Sequence, residues 1–307
     1  MGFLEQLEAY AGAGQVKKAE PMRLHTTFQT GGPADYFVTV QGWRELFAVA
    51  AFCRQEKVPM TLVGRGSNLL VKDGGIRGVV LCLGKEFSSV RREGEDLILG
   101  AGTPLSLAAS QAAKNDLAGL AFAAGIPGSF GGAVVMNAGA YGGEIKDVLQ
   151  SVTVLTQQGQ VKELPAEALE LSYRHSILSE TGDWVLEGRV HLTPGKRETI
   201  EQEMAAYAKA RREKQPLEYP SAGSTFRRPE GYFAGQLIEQ CGLKGYRVGQ
   251  ACVSEKHAGF VVNLGGATAS EILAVITHCQ EVVLAHTGVR LECEVKILGE
   301  DGIGGAP

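Results

Sequence analysis

Met60-Thr-Leu-Val-Gly-Arg-Gly-Ser-Asn-Leu-Leu-Val71 is the stretch on which the reading of this chain turns. Its apolar, β-branched start predicts a strand over 60–63, and a second strand resumes at 69–71 with no helix between them. Gly64 and Gly66 free the backbone so that N–H groups can converge, and Ser67 and Asn68 add side-chain donors. Such a turn suits pyrophosphate oxygens, although an ordinary link between two strands uses the same residues. The spacing is not G-x-G-x-x-G and no long helix follows, which excludes the nucleotide fold built on that motif. Upstream, 34–40 reads as a strand and 43–57 has helical spacing, so strand, helix and strand form a βαβ unit. Downstream, the turn Asp73-Gly-Gly75 leads to a strand at 79–83.

Farther out, 3–20 reads as a short helix and a polar connector ending at Pro21. A second block has strands near Val90 and at 97–100, a helix at 104–114, and strands at 148–156 and 184–192. Between them, 125–143 suits neither a plain helix nor a strand, and a loop of that length is usually functional. A third block opens with a charged helix at 197–214, stopped by Pro216, and continues with helices at 232–241 and 270–286. The last of these lines up Ile272, Val275, Ile276, Cys279, Val282 and Val283 on one face. A closing strand at 290–298 and a disordered tail from 300 complete the expectation, which is α+β in class.

Of 307 residues 41 are glycine, nearly twice the usual ~7%, and they are clustered rather than periodic, so collagen is excluded. The net charge is −4 with both signs interspersed, which argues against nucleic acid as a partner. No window approaches 18 uninterrupted apolar residues, and the first residues lack a basic segment before an apolar run. A cytoplasmic protein is expected, monomeric, with no membrane insertion. The six cysteines form no C-x-x-C pair and read as free thiols in apolar stretches, so no metal site is expected.

Several constellations can carry chemistry. In the loop from Gly125 to Gly143 every glycine removes a side chain that would keep a flat ligand from the backbone; a small-residue packing surface would look alike. Together with Gly64 to Asn68 and Gly100-Ala-Gly102-Thr103 it favours one extended ligand, of dinucleotide length. Arg174, in Ser172-Tyr-Arg-His-Ser176, is a permanent cation suited to carboxylate or phosphate, yet such residues are commonly surface ones. Ser224 follows Gly223 in a turn, but G-x-S-x-G is absent and no triad is spaced around it. In Leu291-Glu-Cys-Glu-Val295, strand alternation puts Glu292 and Glu294 on one face, either as a solvated edge or with one handling protons.

Taken in order, these segments resemble the UDP-N-acetylenolpyruvoylglucosamine reductase (MurB) family over about 24–299. The resemblance is carried by Thr27-Phe-Gln-Thr-Gly-Gly-Pro-Ala-Asp-Tyr36, Gly64-Arg-Gly-Ser-Asn68, Ile126-Pro-Gly128 and Asn137-Ala-Gly-Ala-Tyr-Gly142. It continues through Tyr173-Arg-His-Ser176, Ala222-Gly-Ser-Thr-Phe226, Val253-Ser-Glu-Lys-His-Ala258 and Leu291-Glu-Cys-Glu-Val295. It implies an FAD-binding region of the vanillyl-alcohol-oxidase type at 21–197, in subdomains 21–84 and 85–197, and a substrate-binding domain at 198–299. An N-terminal helix and connector precede at 1–20, and a tail follows at 300–307. No long insertion lies between Arg174 and Ser224, as in the shorter type II subclass.

The resemblance further implies Arg174, Ser224 and Glu294 as the catalytic residues. Noncovalent FAD would lie against Gly64, Arg65, Gly66, Ser67, Asn68, Gly102, Thr103, Gly125, Pro127, Gly128, Ser129, Gly131, Gly132, Asn137 and Ala140. Tyr173, Lys214, Arg228 and His257 would meet the sugar nucleotide; Arg228 stands where the longer subclass has asparagine. NADPH would be the hydride donor, reduced flavin would deliver hydride to C3 of the enolpyruvyl ether, and Ser224 would protonate C2. Two other readings use the same residues: a different noncovalent-FAD oxidase or dehydrogenase of that superfamily, and a flavin or sugar-nucleotide module without turnover. The presence of Arg174, Ser224 and Glu294 together weighs against the last.

Overall fold

The computed structural model describes residues 2–302, so most of the tail expected at 300–307 lies outside the described residues. The chain sorts into two compact units and passes between them after residues 17, 37, 64, 80 and 211.

One unit comprises Met1–Lys17, Val38–Gly64 and Leu81–Arg211. Its main sheet has five strands in the order Val161–Pro165, Leu149–Leu155, Trp184–His191, Asp96–Gly100 and Val90–Glu93, antiparallel throughout. Leu97, Leu99, Val152, Val154 and Val190 from these strands pack with Phe130 and with Ala108, Ala109 and Ala112 of the Leu105–Lys114 helix. The small alanine side chains let that helix lie close against its neighbours, where each methyl removed from water contributes to the core. The Phe3–Ala11 helix rests on Trp43–Gln55 through Phe3 and Tyr10, each 5.1 Å from the Phe52 ring.

The other unit comprises Lys18–Phe37, Arg65–Val80 and Arg212–Pro307. Three short antiparallel strands, Arg247–Val248, Ala251–Val253 and Val261–Asn263, carry the Ala269–Thr287 helix. The apolar face of that helix is buried as its spacing predicts, with Ile272, Val275, Ile276, Cys279 and Val283 in one core with Phe28, Leu70 and Phe226. Lys296–Leu298 pairs in parallel with Leu69–Val71. In a sheet whose strands are not confined to this unit, Ile76–Leu83 lies between Pro33–Val40 and Met60–Val63, so one strand separates the two of the expected βαβ unit.

Four expectations need correction. The polar connector after the first helix contains an edge strand, Val16–Pro21, whose mostly exposed pattern hides it from any alternation. The 125–143 stretch is not all loop: Phe130–Val135 is helical because Phe130 and Val134 bury into the core, and Gly139–Ala140 pairs with Gly143–Glu144. The closing strand shrinks to Lys296–Leu298, because the backbone of 291–294 bonds to separate partners rather than to one ladder. The expected tail begins in order: the Glu300 N–H donates to the Gly75 carbonyl, and Asp301 pairs with Lys72 at 3.0 Å.

Among the described residues no helix is long and apolar enough to cross a membrane, and no group of three His, Cys, Asp or Glu could hold a metal ion. All six cysteines are free thiols, three of them buried.

Candidate active site

In the first unit the glycine clusters converge. Phe130 N–H donates to the Thr103 carbonyl and Gly131 N–H to Ala101, both at 2.8 Å, while Leu105 N–H donates to Gly128 at 3.1 Å. A Cβ placed on Gly64 would lie 2.6 Å from Ser129 Oγ, and one on Gly131 would lie 2.9 Å from the Ala101 Cβ. The turn after the Met60–Val63 strand, the Gly100–Thr103 segment and the start of the long loop therefore adjoin one another with little side-chain bulk between them. That cradle of backbone and small residues is the kind of surface a flat, extended cofactor such as FAD requires. Gly132 and Pro127 are exposed, whereas Thr103 is fully buried and donates its hydroxyl to Ser89 at 2.9 Å. The Arg211 guanidinium donates to the Gly125 carbonyl.

Arg174 stands at the tip of a tight turn closed by reciprocal 3.2 Å bonds between Ser172 and His175. It adopts φ +55, the left-handed region unusual for any residue but glycine, and so needs outside support. That support comes from the long loop. Arg174 Nη2 donates to the Gly139 carbonyl at 3.0 Å, Asn137 Nδ2 to Ser172 at 2.9 Å, and Ser176 Oγ to Val135 at 2.7 Å. The guanidinium also sits 5.0 Å from the Tyr173 ring.

Asn137, itself at φ +40 and 0% exposed, has its side chain committed to protein partners. Besides Ser172 it donates to Glu144 at 3.0 Å, and its Oδ1 accepts the Lys146 N–H at 2.9 Å. These bonds brace the long loop around Asn137. Glu144 was not singled out by sequence. Hydrogen bonding from Lys146, then from Asn137, with the nearby positive charges of Lys146 and Arg174, holds its carboxyl below the ordinary range. Its only sequence signal is the acidic residue closing a glycine-rich run.

In the second unit Ser224 and Glu294 come onto adjoining segments. Arg227 N–H donates to Glu292 and Glu294 N–H to Thr225, both at 2.8 Å, around an antiparallel bridge between Phe226 and Cys293. Gly223 at φ +77 turns the chain so that Ser224 is exposed, while buried Thr225 bonds Gly259 and Val261 behind it. Glu292 is exposed and Glu294 partly buried, so the two acids do not share one environment as simple alternation predicts. Asn68 Nδ2 reaches the Glu294 carbonyl at 3.1 Å, which brings the glycine turn to the same place. Within that turn Gly66 is buried, Ser67 and Asn68 are half-buried and Arg65 is exposed.

Lys214 and Arg228 are exposed cations, and Arg228 lies 3.9 Å above the Phe233 ring. His257 is half-buried, and its Nδ1 accepts the Gly259 N–H at 3.1 Å. Burial pushes its pKa down, so the ring is neutral at pH 7 with its proton on Nε2. His175, by contrast, only approaches Glu180, at 3.7 Å.

Comparison with known proteins gives these residues a context. The model of the UDP-N-acetylenolpyruvoylglucosamine reductase C-terminal domain matches residues 215–298, and that of an FAD-binding domain matches 34–165. The UDP-N-acetylenolpyruvoylglucosamine reductase of Lachnoclostridium phytofermentans is 50% identical over 302 residues, covering 97% of each chain. The protein of the same name from Listeria monocytogenes serotype 4b is 48% identical over 93% of this chain and 96% of its own. Among solved structures, the MurB of Thermus caldophilus superposes with a TM-score of 0.81 at 37% identity, covering 92% of this chain and 99% of that one.

Proposed function

Because this chain belongs to the UDP-N-acetylenolpyruvoylglucosamine reductase (MurB) family and is an FAD-dependent oxidoreductase of peptidoglycan-precursor synthesis, we propose that it forms UDP-N-acetylmuramate with NADPH as reductant. FAD, held by the glycine-rich segments at 64–68, 102–103 and 125–140, would supply the hydride chemistry that links NADPH to C3 of the enolpyruvyl ether. The chain's own residues handle charge and protons. Negative charge grows toward C2 and the substrate carboxylate; Arg174 meets it as a fixed cation, and Glu294, as a protonated acid, meets it with a hydrogen bond. Ser224 donates the proton to C2. A serine hydroxyl is a weak acid, so this step needs the strongly basic carbon that hydride delivery creates. Tyr173, Lys214, Arg228 and His257 bind the sugar nucleotide, with Lys214 facing its phosphates.

On this reading 21–197 forms the cofactor region and 198–299 the substrate region. NADPH and the sugar nucleotide, both phosphorylated and unable to cross a bilayer unaided, support a cytoplasmic setting, and the reading takes the protein as a monomer. The observation that supports the proposal is the pairing of 225–227 with 292–294, in which the Glu294 N–H donates to Thr225, the residue that follows Ser224. The test uses purified protein loaded with FAD, without oxygen. NADPH should bleach the flavin band and the enolpyruvyl sugar nucleotide should restore it. Bleaching without substrate-dependent recovery would point instead to an oxidase of other specificity.

A further inference from the structure

We propose that Asn68 is a positioning residue for Glu294, locking the main chain of the acid to the glycine turn. The inference rests on the reading that Glu294 acts on the substrate. The peptide groups of Glu294 are held from two sides: its N–H donates to Thr225 at 2.8 Å, and its carbonyl accepts from Asn68 Nδ2 at 3.1 Å. Two residues on, the Lys296 N–H donates to the Asn68 carbonyl at 2.9 Å, and there the parallel pairing of Lys296 with Leu69 begins. Asn68 thus grips the chain on both sides of Val295, which is buried in the core. The regular strand starts only at Lys296, so a side-chain amide supplies what a ladder N–H would otherwise give to the Glu294 carbonyl.

The grip has a firm base. Gly66, two residues before Asn68, is wedged against the His25 carbonyl, and its own carbonyl accepts the Thr27 N–H at 3.2 Å. A rigid turn therefore fixes Asn68, and Asn68 fixes the direction in which Glu294 leaves the backbone. Geometry matters here because a misplacement of ~1 Å in a reacting group costs about 100-fold in rate.

Asn68→Leu keeps the branched shape and removes the donor; Asn68→Gln keeps an amide. With FAD saturating, Asn68→Leu should slow reoxidation by the enolpyruvyl sugar nucleotide about 10- to 100-fold more than it slows flavin reduction by NADPH. In the apoprotein, hydrogen exchange at the Glu294 amide should quicken, and Asn68→Gln should recover part of both properties. In a Glu294→Gln background, Asn68→Leu should change reoxidation by less than about twofold, since both act through one group. Equal slowing of the two half-reactions by Asn68→Leu, or parental reoxidation beside an impaired Glu294→Gln, overturns the positioning role. Parental reoxidation by Glu294→Gln itself overturns the reading of Glu294 as well. If Asn68→Leu does not fold, Asn68→Gln carries the comparison: unequal loss supports the proposal and equal loss overturns it.

Discussion

No side chain fits at Gly66. A Cβ there would lie 2.0 Å from the His25 carbonyl oxygen and 2.8 Å from the Thr26 Cα, and φ is +64. Both obstacles are backbone, which cannot swing away as a side chain can. Gly66→Ala should therefore destabilise the protein by about 2–5 kcal/mol, combining left-handed strain with overpacking. Gly142→Ala is the control: at φ +90 with nothing within 4 Å, it keeps the strain and loses the clash, so its cost is about 1–2 kcal/mol. Urea unfolding of the two variants measures the difference, and equal costs would refute the argument. The glycines of this turn are plain in the sequence, but that the His25–Thr26 backbone packs against Gly66 is a long-range fact that no local pattern encodes. Ser224 makes the opposite case, because it is exposed and its removal disturbs no core. Ser224→Ala should leave the melting temperature and flavin reduction near parental and slow substrate-dependent reoxidation about 10²- to 10⁴-fold, the usual worth of a positioned proton donor. Equal loss in both half-reactions would remove Ser224 from that role.

In the five-stranded sheet, neighbouring strands are also tied by charge. Asp96 begins the Asp96–Gly100 strand and receives His191 Nδ1 at 2.7 Å and Arg189 Nη1 at 2.8 Å from the Trp184–His191 strand paired with it. These hydrogen bonds, from His191 first and then Arg189, hold its carboxyl below the ordinary 3.8. A carboxyl depressed on folding adds stability that is complete above its unfolded value and fades as the pH falls through the folded one. Asp96→Asn should thus lower the melting temperature at pH 6, and the gap from the parent should narrow steadily once the pH drops below 3.8. A gap that is constant with pH, followed by calorimetry, would show that the charge contributes nothing. Elements of this kind differ in how readily a sequence reveals them. The Arg197–Lys214 helix and the Met60–Val63 and Leu69–Val71 strands lie where their patterns predict, because Pro216 and the glycine turn punctuate them sharply. Val16–Pro21, reading Val-Lys-Lys-Ala-Glu-Pro, has no buried face to imprint a period. The 291–294 segment misleads in the other direction. It alternates like a strand, yet its carbonyls are taken by the Gln280 side chain, the Arg227 amide and the Asn68 side chain. The candidate site residues rest on residue type and order, which a sequence displays, whereas the support beneath them, Arg174 at φ +55 and Glu144 beside Asn137, comes from tertiary contacts.

The chain's interleaving decides what can fold alone. A division by sequence order would cut near 197 and expect the N-terminal part to stand as a cofactor-binding piece. Yet Lys18–Phe37 and Arg65–Val80 cluster with Arg212–Pro307, and their interactions with that part are those of a core. Phe28 and Leu70 are both 0% exposed within the cluster that holds Phe226, Ile276 and Val283. Asn263 Nδ2 donates to the Phe28 carbonyl at 2.9 Å. Asp73 accepts the backbone N–H groups of Ala269 and Ser270, at 2.8 and 2.9 Å, and so caps the Ala269–Thr287 helix from a distant part of the sequence. Leu69–Val71 has Lys296–Leu298 as a parallel partner. Cutting after 197 would expose Phe28 and Leu70 at about 1.5–3 kcal/mol each, before counting the lost strand pairing, against a total stability of about 5–15 kcal/mol for an ordinary domain. A fragment of residues 1–197 should accordingly show no cooperative thermal transition and should bind a hydrophobic dye. Excess FAD should not rescue it, since a ligand stabilises only in proportion to its affinity for a folded state the fragment lacks. Adding the separately made 198–307 segment should restore a cooperative transition, because it returns the missing core. A fragment that melts cooperatively and turns yellow with FAD by itself would show instead that 18–37 and 65–80 hold their fold without those partners, and that the contacts gathered around Phe28, Leu70 and Asp73 are dispensable.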